Sequence, residues 1–433
     1  MNGAASLLAG YRTAWHAAGR GQWFLVAGFM FAMRVLAFNV AFPLFAKERG
    51  FDSSQTGLML GAVAISLFVF GAPLTILNSR GYGRSVLLIA PIIAASGIAI
   101  ILLAPSNLLA PALLGCLLAG MASNAFWIMG DPLLASTTAA EHRPQVFAIK
   151  FSLLTAGFAV GGLIGGWVPE VLSLAGASNT GMYAGALMVV MLLDLSQALC
   201  YWRIPAESPV ITASVPTRHD RAPRFTGKAF WAVMLLMLVP EMGMATGYNS
   251  VRPYMSLFFD ERFGLSAGAT GTAVSIMQLS GGIGALLIPS FATRIGPLRA
   301  MGLLRLLGGS MIIGAVGIAA LPLVLFFFFV HYSVVDGTGA TFISEAMERL
   351  PAVQRTTFAA VSAGAWSVFS AMATSASGFL QDATGGFGAA FGLGSIAYFV
   401  SAAWLFMVFP RLPALIDYRG AETGSRIPAD ASS

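Results

Sequence analysis

The chain has 433 residues, of which 57% are hydrophobic and only 10% charged, against roughly 25% charged in an ordinary soluble domain. With a mean hydropathy of +0.79, it is excluded from the soluble globular class, and recurring apolar stretches of about 20 residues mark a polytopic helical membrane protein, not an outer-membrane barrel. The net charge of +6 follows from where Lys and Arg sit relative to a bilayer, so it calls for no nucleic-acid partner.

Residues 1–21 read as a short cytoplasmic tail with Arg12, His16 and Arg20 and no signal-peptide cleavage site. Apolar runs bounded by Gly, Pro and charges follow at 22–45, 55–78, 84–104, 107–130, 145–168, 181–203, 228–251, 267–290, 299–321, 323–346, 354–378 and 388–410. These twelve expected spans divide into an N-terminal six-helix bundle (22–203), a polar linker (204–227), a C-terminal six-helix bundle (228–410) and a tail (411–433). Loops on one side carry Arg80, Arg84, Arg143, Arg294, Arg299, Arg349, Arg355 and Arg411, whereas Lys47, Arg49 and Arg262 fall opposite. The excess of positive charge in cytoplasmic loops then puts both termini and the linker in the cytoplasm of a multi-pass inner (plasma) membrane protein.

In the first span, "FMFAMRVLAF" places Arg34 near the bilayer centre, with Asn39 the next polar side chain. An arginine there costs ~2.5 kcal/mol or more, so it should face protein or a watery cavity. The turn "NSRGYGRS" (78–85) offers Arg80, Gly83 and Arg84; glycine permits a tight bend, and arginine can reach helix-end carbonyls at the membrane surface. "TRIG" (293–296), with Arg294 and Gly296, is a shorter copy in the second half.

Asn124 and Trp127 in the fourth span offer a polar point and an aromatic wall. In the fifth, "GFAVGGLIGG" sets Gly157, Gly161, Gly165 and Gly166 at a spacing that lets helices pack closely. Asp194 in the sixth reads as the partner of a neighbouring helix, and Asp131, Lys150, Arg252 and Glu345 lie nearer span ends.

The seventh span, "LVPEMGMATGYNSVR", interrupts its backbone ladder at Pro240, and Glu241, Tyr248 and Arg252 fall on one helical stripe. A carboxylate in that setting can take up a proton in one conformation and release it in another. In the tenth, "FFFFVHYSVVDGTGATF", His331 and Asp336 are five residues apart and do not share a face.

The halves repeat each other. "GFDSSQTG" (50–57) matches "GLSAGATG" (264–271), Arg80 falls on Arg294 at the same offset, and Arg143 and Arg355 each precede a glycine, Gly166 and Gly378, by the same interval. Repeated six-helix units suggest a midplane site reached by alternating access.

This pattern resembles the major facilitator superfamily over nearly the whole chain. The turn at 78–85 is similar to that family's signature loop after the second helix, here lacking its aspartate, and the glycines at 157–166 resemble the helix-5 motif of the drug/proton antiporters, with Gly162 where a proline is usual. The arginine usual in helix 4 of those antiporters is replaced by Cys116. The resemblance implies a central cavity lined by helices 1, 4, 7 and 10, with Arg34, Asn39, Asn124, Glu241, Tyr248, His331 and Asp336 as candidates for substrate or ion coupling. Arg34 would then either pair across the cavity with Glu241 or Asp336, or bind an anionic group of the substrate.

Two isolated cysteines, Cys116 and Cys200, and four scattered histidines form no disulfide framework or metal site. No HExxH, GxSxG or GxxxxGK[ST] occurs, so neither an enzyme nor an ATP-driven pump is expected, and no cofactor is implied. The expected function is proton-coupled efflux of small amphipathic molecules, with sodium as the alternative coupling ion, by a monomer in the lipid bilayer. The alternatives are a proton-symport importer of an organic anion or small nutrient, and a non-transport assembly factor on the same fold.

Overall fold

The computed structural model describes residues 12–13, 15–16, 18–105, 108–204, 228–350 and 352–412. The expected linker (204–227) lies outside them except for Ile204, as do most of both tails. The described residues are helical and contain no strand. The helices are α1 (Gln22–Glu48), α2 (Ser53–Leu77), α3 (Gly83–Leu103), α4 in two pieces (Leu109–Ala119 and Met121–Thr137), α5 (Arg143–Leu174) and α6 (Asn179–Trp202). The second half follows with α7 (Lys228–Val251, extended through a 3-10 turn by Met255–Phe263), α8 (Ala267–Ile295), α9 (Pro297–Gly317), α10 (Leu321–Glu348), α11 (Ala352–Thr384) and α12 (Phe387–Met407).

Ten helical stretches among the described residues are long and apolar enough to cross a membrane. One of them, Ser53–Leu103, runs for 51 residues and is broken at Gly81, whose φ of 89° leaves the helical region, so it supplies two crossings, α2 and α3. The stretch missing from the ten is α8, long enough at 29 residues but interrupted by Gly, Ser and Thr. Several helices outrun the apolar spans read from sequence. α4 continues to Thr137 and so takes in Asp131, and α5 and α11 reach 32 and 33 residues.

Packing follows the repeat. In the first bundle α1 packs on α5 and α6, α3 on α6, and α2 on α4; in the second α7 packs on α11 and α12, α9 on α12, and α8 on α10. The bundles meet along two seams, α2 against α11 and α5 against α8. Local details recur as well. Asp52 caps α2 by accepting from the Gln55 amide at 2.7 Å, and Ser266 caps α8 by accepting from Ala269. Arg143 donates Nε to the carbonyl of Thr138 at 3.2 Å, and Arg355 donates Nε to that of Leu350 at 3.3 Å. The outward surface is apolar, with Leu192, Leu199, Phe326 and Ile396 exposed as lipid contact requires.

Candidate functional site

Each bundle holds a charged centre around a buried arginine. On α1, Arg34 is 2% exposed and its Nε stands 3.1 Å from Oδ1 of Asp194 on α6, which Gln197 also supports at 3.3 Å. The guanidinium also donates to the Ala119 carbonyl, beside the break of α4, and lies over the Phe38 ring. The expectation that Arg34 pairs with Glu241 or Asp336 is therefore corrected: its partner is Asp194, within its own bundle. A buried charge holds a close partner where one is in reach, because hydration is lost and only an ion pair with further hydrogen bonds offsets it.

In the second bundle Arg305 of α9 donates to the Pro240 carbonyl at 2.7 Å and to Ser401 of α12. Pro240 has no N–H for the Leu236 carbonyl, and Trp404 Nε1 takes that acceptor at 3.0 Å. The broken rung of α7 is thus repaired by α12, while α9 holds the carbonyl of the proline itself. Glu241, the next residue, is 7% exposed, has no ion pair among the described residues, and its Oε2 is buried without a hydrogen-bond partner. It pairs with neither Arg34 nor Arg252. His331 points into the same bundle, its Nδ1 2.9 Å from the Gly308 carbonyl and its ring between Tyr332 and Tyr398, so it stays apart from Asp336.

A third centre lies between the bundles. Arg252, in the turn that ends the first part of α7, donates to the hydroxyl of Tyr248, as the shared stripe predicts, and to Oε1 of Gln278 on α8 at 3.1 Å. Its guanidinium lies 5.0 Å from the Tyr248 ring centroid and 5.7 Å from that of Phe158, which comes from α5 of the other bundle. Tyr332 of α10 and Trp366 of α11 each approach Tyr248 at 6.3 Å between ring centroids. Asp336, four residues and so about one turn beyond Tyr332, lies against Gly281 of α8, where any Cβ would meet its carboxylate. It makes no ion pair among the described residues, and Arg252 is the cation within its electrostatic range. A guanidinium, a carboxylate, two phenols and an amide are gathered here among aromatic walls.

Of the remaining candidates, Asn124 donates to Ser66 at 3.0 Å and ties α4 to α2, whereas Asn39 is half-buried and makes no side-chain hydrogen bond among the described residues. Gln278, Tyr332, Trp366 and Phe158 were not singled out by sequence. The nearest signal was the lone glutamine in an otherwise small and apolar stretch, "AVSIMQLSGG".

One end of the interface between bundles is sealed. The last glycines of the two matching octapeptides, Gly57 and Gly271, sit on the seams: a Cβ at Gly57 would come within 3.3 Å of the Gly378 Cα, and one at Gly271 within 2.7 Å of the Gly166 Cα. Tyr254 fills the first crossing and donates to the Thr374 carbonyl at 2.7 Å. Above each crossing a carboxylate from one bundle caps a helix of the other. Asp382 of α11 accepts from the Ser53 and Ser54 amides at 3.1 and 2.7 Å, and Glu170 of α5 accepts from the Gly268 amide at 3.0 Å. Such charges favour a helix N-terminus twice over, by hydrogen bond and by dipole.

At the opposite end the seams part. Below the last bridge, where Ser367 accepts from the Phe68 amide at 3.2 Å, a cavity of about 840 Å³ opens between α2 and α4 on one side and α7 and α11 on the other. Phe68, Ile128, Leu238, Met242, Val361 and Phe369 are among its mostly apolar walls.

The glycines of α5 divide by role. Gly157, Gly161 and Gly165 admit the backbone of α1 at Phe29, Met33 and Ala37, while Gly162 and Gly166 admit α8. In the turn after α2, Arg84 donates to the carbonyls of Ile204 and Trp202 at 2.6 and 2.9 Å, closing the end of α6; Gly83 lies against the Asn78 side chain. Arg80 and Arg294 are exposed at the ends of α2 and α8, and Gly296 turns the chain with φ 90°. Among the described residues, no group of three or more His, Cys, Asp or Glu could hold a metal ion; His219 lies outside them.

A model of the Major Facilitator Superfamily matches residues 24–374. No curated protein sequence matches the chain. Among solved structures it is similar to the nucleoside transporter NupG, with 14% identity over 90% of this chain and 99% of that one and a TM-score of 0.71. It is also similar to a bacterial homolog of the human lysosomal transporter Spinster in an inward-facing, unoccupied conformation (14% identity, 95% and 99% covered, TM-score 0.67). A third is the E. coli fucose:proton symporter FucP (14% identity, 89% and 97% covered, TM-score 0.56). At these identities the likeness is one of fold.

Proposed function

We propose, from the premise that this chain belongs to the Major Facilitator Superfamily, that it is a secondary active transporter that exports small amphipathic organic molecules in exchange for protons by alternating access. The observation that carries this reading is the centre of Arg252, Tyr248, Gln278 and Asp336 held between the sealed end and an apolar cavity that opens the other way. A polar head reaching that centre and an apolar body left against Leu238, Met242 and Phe369 is the ligand such a path suits. Asp336 and Glu241 are the two acids assigned to the proton: the first sits within range of Arg252, the second has a buried oxygen without a partner. With the arginine-rich loops in the cytoplasm of a plasma membrane, the open end faces the cytoplasm, where an exporter loads. The seam glycines, Arg80, Arg84 and Arg294 belong to the moving parts, and one chain holds both bundles, so a monomer suffices.

Import of an organic anion by proton symport keeps one observation in its favour, the buried Nε of Arg252, which has no partner. Of its supports in the sequence, Arg34 as an anion ligand is lost to Asp194, while the missing helix-4 arginine, with Cys116 in its place, stands.

The test is proton flux in energised everted vesicles, with cationic dyes, neutral drugs and organic anions added singly. A compound that dissipates the acid interior only when the protein is present establishes antiport. Dissipation by none of them, together with acid-driven uptake of an anion by whole cells, overturns the export reading in favour of import.

A further inference from the structure

One buried cation is unexplained by either bundle's packing. Lys150, two turns into α5, is 2% exposed, and its Nζ is paired with the Asp131 carboxylate on α4. Four rings surround that ammonium: Phe151 at 5.3 Å, Phe126 and Trp127 at 5.4 Å, and Phe147 at 5.8 Å to their centroids. Four rings and a carboxylate about one ammonium form an aromatic cage, the arrangement that recognises quaternary ammonium ligands.

The cage is open on one side. The wholly internal pair Arg34–Asp194 has side chains 2% and 0% exposed, whereas Asp131 is 45% exposed, and two of the rings, Trp127 and Phe151, are 48% and 58% exposed. Asp131 stands three residues after Ile128, and so on the same side of α4 as this cavity wall. The ammonium of the pair is buried and its carboxylate faces the open side, so Asp131 can be reached by a ligand that enters there. Lysine also carries its charge on a flexible stem that can swing toward an open cavity.

We propose that Phe126, Trp127, Phe147, Phe151 and Asp131 form a binding site for an organic cation, an ammonium or phosphonium, which Lys150 occupies as a tethered stand-in until such a ligand displaces it. The ligand places its charge where Nζ now sits, against Asp131, and leaves its apolar groups in the cavity mouth. This site rests on the reading of the inter-bundle cavity as the substrate path, and narrows the substrate to cations.

The test is equilibrium binding of radiolabelled tetraphenylphosphonium to the purified full-length protein, with neutral triphenylphosphine oxide as the control for charge. Lys150→Met frees the cage, and binding should tighten about tenfold, the worth of one displaced cage contact; Asp131→Asn should weaken binding at least as much, and the neutral control should not distinguish the variants. A monodisperse Lys150→Met protein that binds no tighter than the wild type overturns the proposal. Should that variant not fold, Asp131→Asn decides alone, since unchanged phosphonium binding by it also overturns the site. Binding needs no flux, so its failure leaves the transport reading standing, and a lack of flux with binding intact counts against transport alone.

Discussion

Removing the guanidinium of Arg34 leaves Asp194 charged in a place from which water is excluded. Arg34→Met should therefore cost about 3–5 kcal/mol of stability, seen as a lower unfolding temperature in detergent, and Arg34→Met with Asp194→Leu should recover most of it. If the double variant also transports, the pair is structural and no ligand site. The two acids assigned to the proton should behave otherwise. Asp336→Asn and Glu241→Gln should leave the unfolding temperature near that of the wild type, and the variant that uncouples substrate flux from the pH gradient in vesicles identifies the proton carrier. Normal coupling in both would remove the two from the mechanism. Every one of these side chains was visible in the sequence as a charge among apolar residues, but the partner of Arg34 was not. Helices apolar on all sides carry no stripe to fix their rotation, so which of Asp194, Glu241 and Asp336 faced Arg34 could not be read from spacing. Tyr332 shows the same difficulty: its neighbour His331 is the candidate by residue type, yet the histidine turns inward toward Gly308 while the tyrosine approaches Tyr248.

The fifth helix was more legible, because small residues declare close approach whatever the rotation. Its motif does two jobs on two faces. A methyl group at Gly161 would meet the backbone of Met33 at 2.2 Å, within one bundle, while one at Gly166 would meet the backbone of Ala267 at 2.4 Å, across the seam. Gly161→Ala should therefore destabilise by about 1–3 kcal/mol, the usual cost of overpacking, in a thermal unfolding assay. Gly166→Ala should instead leave the bundles intact and favour separation at the sealed end, read as faster labelling of a cysteine placed at Ala267. Equal effects of the two changes on stability and labelling would contradict this division. The repeat fixed Gly57, Gly271, Gly166 and Gly378 as matching positions, yet that they touch in pairs required the seams themselves, since nothing in a helix names its neighbour in the other bundle.

For the whole molecule, the sealed end is held by contacts that differ in worth. Lys47 with Asp260 and Glu261 also bridges the bundles, but these side chains are 34–42% exposed, and such pairs contribute about 0–1 kcal/mol at physiological salt. Lys47→Ala should hardly alter the balance of conformations. Glu170→Gln and Asp382→Asn, which remove charge from helix N-termini, should each loosen this end, and together shift the distance distribution between spin labels on the two bundles toward the separated form. No shift in the double variant would place the seal in the glycine crossings alone.

The two carboxylate clamps are mirror uses of one device: α5 of the first bundle holds the start of α8, and α11 of the second holds the start of α2. A six-helix chain carrying one such acid and one such helix start would be complementary to a second copy of itself, each copy giving and receiving the same contact across a twofold axis. The interface of this protein thus has the form of an isologous homodimer contained in one chain, in which the two matching acids need not be identical: one clamp uses aspartate and the other glutamate.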